Sequence, residues 1–402
     1  MSFCKDMDRI SVLADELLIK ILPYVPTKVA VSTSVLSKRW EYLWMWVPKL
    51  EYIDHKDFSD NVSVSSLLRY RDFIHKKLPL HRAPVIESLS LGFDYPLFRP
   101  EDIKLWIEIA ISRCVRELII HCGPSYGELE PSYSELELSL PSSLYTSESL
   151  ETLKLEGLHV VVNVPPRVCL PSLKTLKLER VTYWDEDPLG SLLPCCPVLE
   201  DLAIAREEGD TLEVLVVIHP SLQRLSLLTE DQCSGLGIVV IDTPSLKYFR
   251  VEDIRDSFTY STKHMPQLEE AEIFVFEGVQ QFVKAITSVK RLSVESMYRS
   301  GVVFDQLEQL NLIRCDDYWS KLLVRLLKNS PKLRTLNLSL HEGFIQSEPI
   351  SWSIEQSSIP KCLLKSLETF EFAGYKGNAE ERDFLSFIFK HARCLKSSSI
   401  LS

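Results

Sequence analysis

One pattern constrains this chain more than any other. It is L-x-x-L-x-L, with Ile, Val, Phe, Tyr or Ala standing in at some apolar places, and it begins at Ile86, Val115, Tyr133, Leu150, Leu173, Leu199, Leu222, Leu246, Leu268, Val289, Leu307, Leu333 and Leu367. Alternation of apolar and polar residues is the signature of a half-buried strand, whose apolar side chains all fall on one face. In the middle of the chain Leu153, Leu176, Leu202, Leu225 and Phe249 are spaced by 23, 26, 23 and 24 residues. A strand recurring at that interval cannot bury its own apolar side, so successive copies have to stack on one another.

The period is that of leucine-rich repeats. An ordinary antiparallel sheet protein would not hold one phase through so many copies separated by variable segments. Pro-Ser-Leu at Pro171, Pro220 and Pro244 sets the turn into three of the strands. Two intervals are long. Between Leu89 and Leu118 the stretch Glu101 to Arg113 is amphipathic through Ile103, Trp106, Ile107 and Ala110, and between Leu336 and Phe370 the polar segment 348–358 reads as a loop.

Ahead of the repeats, Asp8 to Tyr52 compresses three short apolar-periodic segments into one stretch. Leu17, Leu18, Ile21 and Leu22 share a helical face behind acidic Asp15 and Glu16, which suit the first turn. Thr27 is placed to cap a second segment, and Ser37 a third containing Trp40, Leu43 and Trp44. Pro23 lacks an amide donor and should end or kink the first helix. So small a unit requires further apolar cover from elsewhere.

This stretch resembles the F-box of plant proteins that follow it with leucine-rich repeats. The resemblance is carried by Asp8-Arg9-Ile10-Ser11, Asp15-Glu16-Leu17-Leu18, Ile21-Leu22, Pro26-Thr27-Lys28 and Thr33-Ser34-Val35-Leu36-Ser37-Lys38-Arg39-Trp40 with Leu43-Trp44. The chain departs from the family at Ala14, where proline is usual, and at Pro23, where a polar residue is usual. Near the other end Asn378 and Glu381 have capping-box spacing before a helix striped by Phe384, Ile388, Ala392 and Leu395. With Cys362 to Phe372 before it, and Lys390 to Lys396 closing it, this segment resembles the plant FBD domain, and stopping at Ser402 it is expected to be truncated.

The expected fold is α/β: a three-helix F-box over 4–52, a linker and leading helix over 53–85, a curved leucine-rich-repeat solenoid over 86–358 with strands on its concave face, and an FBD-type α/β cap over 359–402. The resemblance implies a non-enzymatic substrate-recognition subunit of a cullin–RING ubiquitin ligase. Its F-box would dock a Skp-type adaptor, and through it a cullin, by way of Leu13, Leu17, Ile21, Leu22, Val35, Leu36 and Trp40. Its repeats would bind an unknown protein substrate. The alternative is a repeat scaffold that binds partners without ubiquitylation.

Outward strand positions follow directly from the pattern. Over the central repeats they are Thr152, Lys154, Thr175, Lys177, Asp201, Ala203, Arg224, Ser226, Tyr248 and Arg250, before Glu270 and Glu272 reverse the sign. Lys154, Lys177, Arg224, Tyr248 and Arg250 are the candidate substrate contacts, suited to an acidic or phosphorylated segment.

The remaining composition excludes other classes. A net charge of −11 from 45 basic and 56 acidic residues argues against a nucleic-acid partner. No apolar run reaches bilayer length, and MSFCKDMDR lacks the apolar core of a signal peptide, which points to the cytoplasm or nucleus. The 10 cysteines have no paired spacing and read as free thiols. Cys114, His121 and Cys122 read as packing residues rather than metal ligands, and Cys195-Cys196 as a turn rather than a nucleophile. Gly235-Leu-Gly237 has no third glycine. No cofactor is implied.

Overall fold

A computed structural model describes residues 10, 12–53, 64–94, 98–123, 137–157, 160–183, 187–206, 212, 214–230, 237–253, 258–275, 280–295, 303–315, 319–340 and 359–401. The motif residues Asp8, Arg9 and Ser11, the linker 54–63, Tyr133–Leu136, Gly235 and the expected loop 348–358 lie outside them. The chain divides into two compact units, Met1–Leu199 and Glu200–Ser402.

The first unit opens with α1 (Asp15–Ile21), whose first turn holds Asp15 and Glu16. Pro23 ends that helix, and Leu22–Tyr24 continues as a single 3-10 turn. Next is α2 (Thr27–Ser32). Thr27 does not cap it; its hydroxyl accepts from Glu51 N at 2.8 Å. The third segment, expected as a helix capped by Ser37, is a 3-10 stretch over Trp40–Trp46 with no side-chain cap. Its buried Trp40, Leu43, Trp44 and Met45 pack with Leu18, Leu22, Ala30, Val31 and Val47. That core also receives Phe73 from α3 (Val64–Lys77).

Residues expected to end this module instead begin the sheet. β1 (Lys49–Tyr52) pairs in parallel with β2 (Ser88–Asp94), and Glu87 N donates to Pro48 O. After α4 (Pro100–Ser112) come β3 (Glu117–Gly123), β5 (Thr152–Glu156) and β7 (Thr175–Glu179), all parallel, so the order is β1-β2-β3-β5-β7. A second, short sheet holds β4 (Leu138–Ser139), β6 (Val160–Val162) and β8 (Thr182–Tyr183). The copy beginning at Tyr133 is therefore not a strand of the main sheet, since its Leu138 begins β4. Length explains this: Leu136 is only 18 residues past Leu118 and 17 before Leu153, and a coil of a leucine-rich repeat takes about 20 or more. α5 (Pro188–Leu192), capped by Asp187 on Gly190 N, completes the unit.

The second unit repeats the scheme. Its main sheet runs β9 (Asp201–Arg206), β11 (Arg224–Thr229), β13 (Tyr248–Asp253), β15 (Glu270–Val275), β16 (Arg291–Val294), β17 (Gln309–Cys315), β18 (Thr335–Leu340), β19 (Thr369–Ala373) and β20 (Ser397–Leu401). Every neighbouring pair is parallel. β10 (Val214–Ile218), β12 (Gly237–Asp242) and β14 (Phe258–Thr262) form the opposing short sheet, whereas α6 (Gln280–Val283), α7 (Trp319–Asn329), α8 (Lys361–Lys365) and α9 (Ala379–His391) occupy the later connections. Inward pairs such as Leu225 and Leu227, Leu310 and Leu312, and Phe370 and Phe372 are buried.

In the copies that form the main sheets, the residue that follows the first apolar residue alternates in charge apart from the neutral Gln223. In the first unit the series is Glu87, Arg116, Glu151, Lys174. In the second it is Glu200, Gln223, Lys247, Glu269, Lys290, Glu308, Arg334, Glu368, Lys396. Neighbours meet as Lys174–Glu151 at 2.8 Å, Lys290–Glu269 at 3.1 Å and Lys396–Glu368 at 2.7 Å. Each exposed pair adds little stability. Away from Gln223, the alternation nevertheless sets like charges side by side when a strand pairs one coil out of place.

The capping box on α9 forms as the spacing predicts. Glu381 is buried, and its Oε2 accepts from the backbone N–H groups of Lys376 (2.9 Å), Gly377 (2.6 Å) and Asn378 (3.2 Å). Gly377 supplies the left-handed backbone, at φ +74°, that turns these amides inward. Glu381→Ala strands those donors and should cost about 3 kcal/mol. Hydrogen exchange in residues 369–401 should accelerate while exchange in 15–52 stays unchanged.

A second expectation concerns the junction ahead of β2. There Arg82 N and Ala83 N both donate to Met45 O, at 2.7 and 3.2 Å. The adjacent His81 is buried, and among the described residues neither ring nitrogen has a well-formed hydrogen bond, the Val47 backbone being a polar neighbour. Burial lowers its pKa to about 4, with Arg113 acting in the same direction and the Val47 backbone opposing them. The unfolded chain binds a proton at His81 below about pH 6.5 and the native chain only below about 4. Stability contributed by the neutral ring is therefore complete above pH 6.5 and lost as pH falls through 4, to a total of about 3 kcal/mol. His81→Leu should flatten the acid side of the stability profile; an unchanged acid limb in urea unfolding would contradict this.

Candidate functional site

The N-terminal module has more apolar residues than its core can hold. Leu18 of α1 and Leu22 of the turn after it are buried, whereas Leu17 and Ile21, one turn apart on another face of α1, are about half exposed. Val35 and Leu36 are 85% and 65% exposed. Leu13 is half-buried against the core. Leu22 and Trp40 are core residues and present no surface to a partner. The geometry adds residues that the pattern did not single out: Val12, Val25, Val29 and Tyr24, the last 88% exposed. One sequence signal could have found them, namely an apolar count too high for three short segments to share internally.

Arg39 holds the start of α1 in place. Its Nε lies 2.7 Å from Asp15 Oδ1, and its terminal nitrogen donates to Leu13 O. Together with the Thr27–Glu51 bond, the β1–β2 pairing and Phe73, this fastens the exposed apolar residues to the sheet of the same unit.

Outward strand residues form the other candidate surface. In the first unit Thr152 pairs with Thr175 and Lys154 with Lys177 across β5 and β7. Lys154 Nζ is 3.3 Å from Glu117 Oε1, whereas Lys177 makes no ion pair among the described residues. At the strand ends Glu156 binds both His121 Nδ1, at 2.7 Å, and Arg180. The His121 hydrogen bond, followed by that of Arg180, holds its carboxyl below the usual range against the effect of burial.

In the second unit Arg224, Tyr248, Glu270 and Arg291 lie in register, as do Ser226, Arg250, Glu272 and Ser293. The Arg224 guanidinium stacks over the Tyr248 ring at 4.2 Å and approaches Asp201 to 4.0 Å. Tyr248 donates its hydroxyl to Glu272 at 3.1 Å, and burial with that carboxylate raises its pKa. Arg250 lies between Glu252 at 2.9 Å and Glu272 at 3.4 Å, and Arg291 takes Glu270 at 2.8 Å. The basic stripe expected from the sequence is thus locally matched by acids. Glu252, one alternation beyond the second leucine pair, is the carboxylate that the pattern missed. Further along, Asn337 Nδ2 donates to Asn311 Oδ1 and Asn311 Nδ2 to Ser293 Oγ, both at 2.9 Å.

No set of three or more metal-ligating side chains gathers among the described residues. Cys122 is buried and Cys114 exposed, and every cysteine whose side chain is described is a free thiol. Burial raises the pKa of Cys196 to about 12. Among the described residues no helix is long and apolar enough to cross a membrane.

Comparison with known proteins places these features together. The FBD family model matches residues 355–400, the segment that carries α8, β19, α9 and β20. A model described as the leucine-rich repeats of FBD-associated F-box protein At5g56370 matches residues 103–275. From Arabidopsis thaliana, FBD-associated F-box protein At5g60610 is 52% identical over 98% of this chain and 100% of its own length. Putative FBD-associated F-box protein At5g56700 is 54% identical over 98% of both chains. Putative F-box/LRR-repeat protein At4g15060 is 45% identical over 96% of this chain and 92% of its own. A helical module bonded to a parallel repeat sheet, closed by an FBD segment, therefore belongs to the plant family of FBD-associated F-box/leucine-rich-repeat proteins.

Proposed function

We propose that this protein is a substrate-recognition subunit of a cullin–RING ubiquitin ligase of the SCF type, working in the cytoplasm or nucleus. The observation that carries the reading is the set of apolar side chains on the N-terminal module that stay exposed among the described residues, from Val12 and Leu17 to Val35 and Leu36. Exposed apolar area of this kind on a small helical unit is the footing for a partner. A Skp-type adaptor would occupy it and connect the chain to a cullin. Because the module is bonded into the sheet of its own unit, a substrate bound on that unit would be held at a fixed offset from the adaptor. The contribution to catalysis is positioning, which raises the effective concentration of a substrate lysine.

The repeats would take the substrate on their outward strand residues. Strands lie about 4.8 Å apart, whereas packed helices need about 8–10 Å, so helical connections bend a stack toward its strands. Each unit would then carry its main sheet on an inner, concave face. Of the candidate contacts, Lys177 in the first unit, beside Lys154, and Arg224 in the second, beside Tyr248, are the cations least engaged by neighbours, and Arg250 is committed to two carboxylates. An acidic or phosphorylated segment suits either cation, Lys177 on the first unit or Arg224 on the second.

Leu17→Glu with Val35→Glu should abolish co-purification with a Skp-type adaptor and leave the thermal melt unchanged. Leu22→Ala should instead lower stability by about 2–4 kcal/mol. Undiminished capture of the adaptor by the double variant would remove the ligase reading. On the substrate side, Lys177→Glu with Arg224→Glu should deplete the non-adaptor proteins recovered with the chain while adaptor recovery stays constant. Recovery of the same proteins by mass spectrometry would show that the stripe is only solvated.

A further inference from the structure

The last strand of the second unit is half finished. β20 pairs with β19 along one edge, and among the described residues no strand pairs with the other. Ser397 N donates to Glu368 O, and Leu401 O accepts from Tyr375 N, so both residues turn their backbone groups toward β19. Backbone groups alternate in direction along a strand, which leaves the N–H and C=O of Ser398 and Ile400 aimed outward. All five side chains of β20 are exposed, and Ile400, Leu401 and Phe389 of α9 are 42%, 50% and 48% exposed. Open edges are normally blunted by a lysine, a proline or a bulge. Ser-Ser-Ser-Ile-Leu has none of these.

We propose that this end of the chain is a two-fold interface with a second copy of the same chain. A two-fold axis normal to the sheet at Ser399 sets Ser398 of one copy opposite Ile400 of the other. Each such pair exchanges both of its backbone hydrogen bonds, giving four across the axis. The same axis lays the two α9 helices side by side and antiparallel. Near its start α9 carries Glu380 and Asp383, and near its end Lys390, with Arg393 just beyond. Among the described residues none of the four makes an ion pair. Antiparallel helices bring the carboxylates of each copy to the cations of the other, and oppose the two helix dipoles. A lone copy has the opposite problem, with Lys390 and Arg393 crowding His391 and helping burial to lower its pKa. An unrelated acidic strand would satisfy the cations but would leave Glu380 and Asp383 unmatched, so the second copy is the better occupant.

The contact is small. A 13-residue helix is about 20 Å long, so helix and strand together bury on the order of 1,000 Å², the low end for specific association. Light scattering on the full chain from about 1 to 100 μM should then show a monomer–dimer equilibrium in the micromolar range. Ser398→Pro removes an outward N–H and leaves the β19 ladder intact, so it should yield monomer at every concentration. Lys390→Glu with Arg393→Glu should weaken the dimer at least about tenfold, and adding Glu380→Lys and Asp383→Lys should restore it. Wild-type monomer throughout the range, or a dimer indifferent to Ser398→Pro and to charge reversal, would overturn the proposal. Adaptor binding should be the same in all four proteins, which separates this interface from the docking surface of the N-terminal module.

Discussion

A five-residue strand with two inward leucines has a hydrophobic side that only another coil can cover. Everything else in the two units follows from that dependence. Parallel pairing is imposed because each coil must return to the same side to present its next strand. Coil length is imposed because the return path has to cross the core and come back. The copy beginning at Tyr133 shows the constraint acting: its letters fit, but 18 residues on one side and 17 on the other do not make a coil, and Leu138 is diverted into the short sheet. Length overrode pattern there.

Stacking alone does not specify which coil sits on which. The inward residues are nearly interchangeable, so a slip by one repeat would cost little apolar contact. The alternating acids and bases ahead of the strands supply what the leucines lack. They sit where the backbone ladder already joins neighbours, as in Glu269 N to Lys247 O and Lys290 N to Glu269 O. The individual pairs are solvent-screened and weak. Their effect lies in the difference between matched and slipped registers, summed over many coils, which is a form of specificity rather than of stability.

Periodicity made the strands legible, and it failed where side chains do not follow the period. β20 has serine where the second leucine belongs, and β1 has Val47, Leu50 and Tyr52 in the right phase but inside a stretch dominated by helical spacing. The short sheets were not legible as sheets: Leu212 to Ile218 reads as a strand-sized apolar run, but such runs carry no fixed offset from the repeat that would pair them. For the N-terminal module the apolar positions were legible and their direction was not. Leu17 and Leu22 look alike in sequence; only the packing of Trp40 and Trp44 against α1 decides that Leu22 is covered and Leu17 is not. The strand face was read with the opposite error. Counting residues beside the leucines gave a basic stripe, but charge at a surface is a property of neighbours, and Glu252, Glu270 and Glu272 come from other positions and other coils.

That compensation bears on how such a surface could discriminate. A stripe of free arginines would attract any polyanion, with affinity set mainly by salt. Arg224 over Tyr248 and Arg250 between two glutamates are instead held in fixed directions by partners already present. A ligand gains little from net charge there and must match the placement of donors, acceptors and the Tyr248 ring. Misplaced groups would leave paired charges desolvated without return, and that penalty rejects wrong ligands more strongly than attraction selects right ones. Along the same sheet the tied amides of Asn311 and Asn337 act in the same way without charge. As the proposed substrate surface, the outward face would therefore select through preorganisation, which suits a receptor that must release most of the proteins it meets.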